Sequence, residues 1–366
     1  MILIKSMKMS LISKLVSLLV KIRFIPVNND RKKDRITFKL CSFVTLTFFI
    51  IHFGLFLMIN LTIQLAAQTV SHVFMEYWKK TNIIDTISSL LLGPFVSWLF
   101  PFCPVFLAKG LPFIPTISLA NDLKWPRHGA KHVLSYFLCA LGLLAINGTF
   151  WSDILKEENT ETHIQVLIYI SSSFQYLIAP LYLILPTMLV SSWMEKFVSL
   201  CEYENDGKEV PRARRCIELY LAFQKGFGTF FLYVFSVTQL LSVFTLFLTV
   251  SHSIGSAYTL STTILYSFGN LLITSGLILN IAGLTFTLEI GHKSLLDLAK
   301  PLQEQLIPQM DGCERQVIKN IIQNLSQMQP LTGNGFFAIT RSTLTAMTSV
   351  SITYIIILVQ FKMSAT

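Results

Sequence analysis

Long apolar blocks alternate with short polar stretches along this chain. A helix needs about 20 consecutive, mostly uncharged residues to cross the hydrocarbon core of a bilayer. The stretches that meet this requirement are 39–64, 84–108, 133–151, 166–192, 229–252, 258–288 and 336–361. The pattern therefore predicts an all-α polytopic membrane protein with seven transmembrane helices.

Two of the polar segments between these spans have helical patterns of their own. Segment 193–228 contains an acidic turn followed by an amphipathic run. Segment 312–328 places five aliphatic side chains on one helical face: Val317, Ile318, Ile321, Ile322 and Leu325. This face either lies against the membrane or packs against other copies of the chain. The Pro and Gly residues of 330–335 then interrupt the helix before the last span.

The distribution of Lys and Arg predicts the orientation in the membrane. Segments 1–38, 109–132, 193–228 and 289–335 contain nine, four, six and four of these residues, 23 in all, whereas the segments on the opposite side contain four. Because cytoplasmic loops are enriched in basic residues, we predict a cytoplasmic N-terminus and an extracellular C-terminus. G-protein-coupled receptors have the opposite orientation, so we expect no requirement for a G protein.

Composition supports a membrane protein and argues against an enzyme. Only 13% of the 366 residues are charged, and the mean hydropathy is +0.59. The net charge of +9 is spread over the segments between spans, which does not indicate a nucleic-acid partner. His128 and His132 stand one helical turn apart, but we place them in a short cytoplasmic loop without a third ligand. We therefore predict no catalytic site, metal or cofactor.

The C-terminal sequence carries a family motif. It reads Thr353-Tyr354, five hydrophobic residues, then Gln360-Phe361, the pattern that closes insect gustatory receptors. The upstream Gly335-Phe336 pair, followed by Arg341, resembles the entry of the same family into its last helix. The chain resembles this family over its whole length in helix number, orientation and loop sizes, and in sequence detail over its last ~30 residues.

The resemblance implies a multi-pass plasma-membrane protein that acts as a tetrameric, ligand-gated, non-selective cation channel. It implies that the seventh helix is split into a cytoplasmic anchor, about 311–329, and a membrane half, about 336–361, four copies of which line a pore. The expected regions are a cytoplasmic segment 1–38 with an amphipathic helix, helices one to six with the ligand-binding region over 39–310, and the anchor and pore over 311–366. The expected partners are lipid, a small-molecule tastant and other gustatory receptor chains, identical or different.

The last span is unusually rich in hydroxyl groups for a helix that meets only lipid, and helix–helix hydrogen bonding or a water-lined pore would explain them equally well. Helical spacing places Val350, Thr353, Ile357 and Gln360 on one stripe. The resemblance implies that Ile357 and Gln360 gate the channel, by dewetting and by replacing cation hydration. Tyr354 is expected to pack between helices, and Arg341 to snorkel to the inner surface or pair with an acidic neighbour such as Glu289.

In the family that this chain resembles, the tastant binds among the outer halves of helices two to six. The polar and aromatic residues at these positions, each of which is alternatively a packing residue, are Asn147, Trp151, Tyr169, Ser173, Tyr176, Tyr266 and Asn270. The sugar-receptor branch of the family has Glu after the Thr-Tyr pair, where this chain has Ile355. This difference favours bitter-type or other tastants over sugars.

Two other classes fit the same topology. A secondary transporter would need paired ionisable groups at the middle of the membrane, and the mid-span regions contain none. A non-conducting subunit of a mixed chemoreceptor assembly would have the same sequence pattern.

Overall fold

The computed structural model of the protein describes residues 25–26, 28–30, 35–38, 43–68, 99–113, 126–156, 162–202, 209–255, 260–306 and 312–365. These ranges are almost entirely helical, which confirms the predicted fold class. A short antiparallel ribbon pairs β1 (Asn28–Asp30) with β2 (Arg35–Thr37). The amphipathic helix that we expect within 1–38 falls largely on residues 1–24, outside the described ranges.

The helices within these ranges are α1 (Phe43–Gln68), α2 (Phe102–Gly110), α3 (Gly129–Lys156), α4 (Thr162–Glu202), α5 (Glu209–Gly255), α6 (Leu260–Asp297), α7 (Ala299–Glu304), α8 (Gly312–Ser326) and α9 (Arg341–Ala365). A 3₁₀ turn, Leu111–Phe113, follows α2. Five of the described helices, α3 to α6 and α9, are long and apolar enough to cross a membrane. Two shorter apolar stretches, Phe43–Gly54 and Phe102–Phe113, belong to the first two predicted spans, and residues 69–98 lie outside the description.

Several helices are longer than the predicted spans. Helix α5 is continuous for 47 residues, from the amphipathic run of 209–228 to the end of the apolar block. Helix α4 extends to Glu202 and α6 to Asp297. Hydropathy marks only the part of a helix that lies in lipid, so it does not show where a helix continues into water. The extensions bring Phe197, Tyr220 and His292 into ring contact at one end of the bundle.

Helix α6 lies at the centre of the bundle, where it contacts α3, α4 and α5. Small residues allow it to approach α3 closely, as is common in membrane helix packing. A Cβ atom on Gly142 would lie 2.5 Å from the carbonyl oxygen of Gly269, and one on Gly276 would lie 2.6 Å from Cys139 Sγ. Both approaches are possible only because glycine has no side chain.

Aromatic side chains fill the contact between α4 and α5. Trp193 stacks on Phe227 with ring centroids 5.8 Å apart, and Phe223, Phe230 and Phe231 surround the same ring. All five side chains are buried. Helix α1 joins the bundle through a buried hydrogen bond between His52 and the Tyr182 hydroxyl of α4. The bundle thus has a continuous core in which α9 has little part.

We predict that Gly142→Ala destabilises the protein. The added methyl group would meet a backbone oxygen, which cannot rotate away, and overpacking of this kind costs about 1–3 kcal/mol. The purified variant should melt at a lower temperature than the wild type in a thermal unfolding assay. Gly54→Ala in α1 is the matched control, because no atom of another described element lies within 4 Å of its added Cβ. Equal melting temperatures for Gly142→Ala and the wild type would contradict the close α3–α6 approach.

Candidate functional site

Helix α9 differs from the other membrane-length helices in how little of it is buried. Only 6% of the most apolar stretch of α9 is buried inside the protein, compared with 44% or more of the same stretch in each of the other four helices. It packs against α5 and, over a smaller contact, against α6. A single copy of the chain therefore leaves most of this helix without protein neighbours in the described structure.

One face of α9 attaches it to its own chain. Ser351 is 6% exposed, and Leu344 and Met347 pack against the core. Gln239 of α5 donates hydrogen bonds to the Met347 carbonyl, at 3.1 Å, and to Ser351 Oγ, at 2.9 Å. This amide therefore fixes the rotation of α9 about its own axis.

The residues that we assign to the gate lie away from that face. At 100° per residue, Gln360 is about 180° around the helix from Ser351, Thr353 about 160° and Ile357 about 120°. Ile357 is 40% exposed, and Thr353 and Gln360 are exposed. Leu358 lies only about 20° from Ser351 and is half-buried. The stripe thus faces outward from its own chain, whereas Leu358 faces inward.

Val350 is the fourth member of this stripe, and Tyr354 lies on its flank. Val350 is about 100° from Ser351 and is 44% exposed. Tyr354 is 55% exposed in the single chain, so the packing between helices that we expect for it stays a prediction and would need a helix of another chain. Because α9 is at the edge of the bundle, its own chain offers no second helix on that flank among the described residues. The Phe361 side chain lies outside the description.

The hydroxyl groups of the outward stripe are bonded along the helix itself. Thr353 Oγ1 donates to the Ser349 carbonyl at 3.0 Å, and Ser349 Oγ donates to the Thr345 carbonyl at 3.1 Å. Their protons are satisfied within α9, and their oxygen lone pairs remain available to accept hydrogen bonds or to contact a cation. This surface of α9 is therefore chemically suited to contact with water or with cations.

Helix α9 begins at Arg341, five residues later than the predicted membrane half at 336. Residues 331–339 instead form a compact turn, in which Thr332 bridges to Ala338 and the Ile339 amide donates to the Leu331 carbonyl at 2.7 Å. Gly335 adopts a φ of +83°, which glycine tolerates without strain. The hydrophobic residues after Gly335 extend the apolar run, so hydropathy alone placed the helix start too early.

Gln224 of α5 holds this turn. Its Oε1 accepts a hydrogen bond from the Thr332 amide at 2.8 Å, and its Nε2 donates to Thr332 Oγ1. One turn earlier on α5, the Tyr220 hydroxyl donates to the Gln329 carbonyl at 3.2 Å. These contacts could not be predicted from the sequence, because an amide in an amphipathic segment gives no signal of its distant partner.

The expected pairing of Arg341 is confirmed. Its Nε lies 2.6 Å from Glu289 Oε2, and its guanidinium lies over the Phe286 ring, 5.1 Å from the centroid. Lys131 approaches the same ring at 4.2 Å. Burial and the positive charges of Lys131 and Arg127 lower the pKa of nearby His128, which is therefore neutral near pH 7.

The apolar face of α8 packs against its own chain. Ile318, Ile321 and Leu325 are at most 4% exposed, and α8 contacts α5, α6 and α7. These contacts within the chain were not among the two locations that we expected for this face, and packing against another copy stays a prediction for the partly buried Val317 and Ile322. Helices α5, α6 and α7 together provide the covering surface.

The ligand-binding candidates form two groups in the structure. Asn147 of α3 donates a hydrogen bond to Ser173 Oγ of α4 at 3.2 Å, and Asn147 is buried. Asn270 of α6 is fully buried and donates to the Tyr266 carbonyl of its own helix at 3.2 Å. Both groups lie beside the close approach of α3 and α6. A Cβ on Gly269, next to Asn270, would lie 2.9 Å from Ile146, next to Asn147.

The remaining candidates contribute less to this description. Tyr176 is half-buried on α4. The side chains of Trp151 and Tyr169 lie outside the described part of the protein.

From the sequence we expected His132 to lie in a short cytoplasmic loop. In the structure it lies inside the bundle. It belongs to the first turn of α3 and is fully buried. Its Nδ1 lies 2.8 Å from Asn280 Oδ1, and its Nε2 lies 3.1 Å from Ser191 Oγ. Thr187 donates to the same Asn280 oxygen at 2.8 Å. Helix α3 begins four residues before the predicted span, and the partners are far apart in sequence, so the network could not be predicted.

Comparison with known proteins gives a fold and no sequence family. No protein-family model matches the chain, and no curated protein matches it in sequence. Two solved structures of the insect olfactory receptor OR5 from Machilis hrabei are similar to it. The complex with eugenol has a TM-score of 0.59 at 14% identity, covering 96% of this chain and 98% of the receptor. The other structure has a TM-score of 0.53 at 15% identity, covering 95% and 97%. The chain therefore has the fold of this receptor.

We predict that Gln224→Leu loosens the turn before α9. The substitution leaves the half-buried Thr332 amide without its acceptor, and the loss of a hydrogen bond of this kind costs about 0.5–1.5 kcal/mol. Hydrogen exchange of the amides in 331–339 should become faster, as measured by mass spectrometry on the purified protein. Gln316→Leu is the control, because that amide donates to Asn320 Oδ1, at 3.1 Å, on the exposed surface of α8. Unchanged exchange in Gln224→Leu would show that other contacts hold the turn.

Proposed function

We propose that this protein is a chemoreceptor of the insect superfamily, of the gustatory type, and acts as a ligand-gated cation channel. The observation that carries the proposal is the stripe of Thr353, Ile357 and Gln360 on the face of α9 turned away from its own chain. A polar stripe of this kind is costly against lipid and favourable against water or an ion. Four copies of α9 around an axis would give the stripe such surroundings.

The fold similarity supports this assignment independently of the terminal motif. The similarity to OR5 covers nearly the whole of both chains, and one OR5 structure contains eugenol, a small organic molecule. The gustatory type rests on the resemblance of the C-terminal residues 353–361 to the family motif. The proposed assembly is a tetramer in the plasma membrane, with identical or related subunits.

The proposed ligand region lies around Asn147, Ser173, Tyr176, Tyr266 and Asn270. The Oδ1 of Asn270 is buried and has no hydrogen-bond partner among the described residues. A buried acceptor without a partner favours a ligand that carries a donor. The proposed tastant is therefore a small, mostly apolar molecule with at least one hydroxyl or amine group.

Two alternatives remain distinct from this proposal. A non-conducting subunit would share the fold but would not alter permeation when Gln360 is changed. A secondary transporter would need an ionisable pair within the membrane, whereas buried His132 is bonded to the neutral side chains of Asn280 and Ser191.

We predict that an epitope tag at the C-terminus is labelled by antibody on intact cells, and that a tag at the N-terminus is labelled only after permeabilisation. The reason is the excess of Lys and Arg in the N-terminal and alternate segments, 23 against four. A cytosolic marker protein provides the control for membrane integrity. Labelling of the N-terminal tag on intact cells would end the family assignment.

We predict that Ile357→Ser raises current in the absence of ligand and that Gln360→Lys lowers cation conductance several-fold. A serine ring would wet the proposed constriction, and a ring of lysines would repel cations. Single-channel recording in the presence of a tastant panel measures both effects for each open channel, whatever the expression level.

Leu358→Val is the matched control for the gate, because Leu358 is half-buried on the face that packs against its own chain. It should leave conductance and ligand-independent current unchanged. Unaltered conductance and ion selectivity in Gln360→Lys would remove Gln360 from the pore. They would favour the interpretation of α9 as a packing helix in a non-conducting subunit.

A further inference from the structure

Helices α2 and α5 run in opposite directions and approach each other closely at two glycines. The Tyr233 hydroxyl of α5 donates to the carbonyl of Leu99, just before α2, whereas Gly110 at the end of α2 lies against Gly226. Residue numbers therefore rise along α2 while those of the partners fall along α5. A Cβ atom on either glycine would lie 2.8 Å from the carbonyl oxygen of the other.

A lysine precedes each of these glycines. Lys109 stands before Gly110 on α2, and Lys225 stands before Gly226 on α5. Each residue of a right-handed helix is rotated by about 100° from its neighbour. In an antiparallel pair this rotation carries the two preceding residues to the same side of the contact. Both lysines are exposed, so their ammonium groups share one surface of the protein.

Two exposed apolar side chains belong to the same surface. Phe113, in the 3₁₀ turn after α2, is 40% exposed, and the Nζ of Lys225 lies 5.6 Å from the centroid of its ring. Leu221, one turn before Lys225 on α5, is 51% exposed. We call the surface formed by Lys109, Phe113, Leu221 and Lys225 the lysine face. It combines two positive charges with apolar area.

The charge of the lysine face is not neutralised by the described part of the protein, where neither lysine forms an ion pair. The nearest acidic residue along α5, Glu218, stands two turns before Lys225, roughly 10 Å along the axis. Arg341, at the start of α9, is by contrast paired with Glu289 at 2.6 Å. Like charges on one surface repel each other, and an anion bound between them removes that repulsion.

The lysine face lies where we predict the inner surface of the membrane. Lys109 directly follows the predicted span 84–108, and Lys225 stands four residues before the predicted span 229–252. The inner leaflet contains anionic phospholipids, which attract basic residues close to it. A phospholipid offers a phosphate to the two ammonium groups and hydrocarbon to Phe113 and Leu221. A free phosphate ion would use only the charges.

We propose that the lysine face binds an anionic phospholipid of the inner leaflet. The phosphate lies between the ammonium groups of Lys109 and Lys225, and the first part of the acyl chains covers Phe113 and Leu221. The leaflet follows from the predicted orientation, and the binding itself does not depend on the proposed channel function. Gln224, which holds the turn before α9, is the neighbour of Lys225 on α5.

The direct test is native mass spectrometry of the purified full-length protein with added lipid. The wild type should bind dioleoyl phosphatidic acid at least about tenfold more tightly than dioleoyl phosphatidylcholine, which has the same acyl chains and no net charge. Higher ionic strength should weaken the binding of phosphatidic acid, because the lysines are exposed. Equal affinities for the two lipids would overturn the proposal.

Substitution of the two lysines locates the binding. Lys109→Gln combined with Lys225→Gln should lower the affinity for phosphatidic acid about tenfold. Lys293→Gln combined with Lys319→Gln is the matched control, because it removes two exposed lysines from α6 and α8, and it should change the affinity less than about twofold. Equal losses of affinity in both double variants would show that net charge alone attracts the lipid, and would disprove the site.

A further comparison separates a lipid from a soluble phosphate compound. Glycerol 3-phosphate has the phosphate without the acyl chains, so an excess of it should not displace phosphatidic acid from the wild type. Phe113→Ala should weaken the binding of phosphatidic acid about threefold, because it removes apolar contact area and leaves both charges in place. Displacement by glycerol 3-phosphate, with unchanged lipid binding in Phe113→Ala, would assign the lysine face to a soluble phosphate and contradict the lipid.

Discussion

The hydrocarbon core of a membrane offers no hydrogen-bond partner, and the arrangement of this bundle follows from that constraint. Polar side chains within the spans must find partners on the same helix or on a neighbouring one. Thr245 and Thr249 of α5 bond to the preceding turn, whereas His132 of α3 and Thr187 of α4 both bond to the Oδ1 of Asn280 on α6. Asn280 thus links α6 to both α3 and α4.

Helix α9 meets the same constraint in a different way. Its contact with its own chain depends on a narrow face around Ser351, on the amide of Gln239 and, at its start, on the ion pair of Arg341 with Glu289 of α6. The turn before it is held by Gln224, which lies on the same helix as Gln239. The two glutamine attachments therefore both belong to α5, a helix of 47 residues. A displacement of α5 would change the position of the turn and of α9 together.

Sequence reasoning recovered the features that depend on local composition. Apolar blocks indicated the positions of the spans, and the pairing of Arg341 with Glu289 followed from the cost of an isolated charge. It did not recover features that depend on distant partners, such as the His132 network or the contact of Gln224 with Thr332. Helix ends were also misplaced, because hydropathy reports contact with lipid and not the continuity of backbone hydrogen bonds.

The exposed stripe of α9 has a consequence for the assembly of the protein. A single copy of this helix in a bilayer would expose Thr353 and Gln360 to hydrocarbon. In the proposed assembly, association with further subunits would remove that cost, so the same side chains that would line the pore would also favour assembly over the isolated chain.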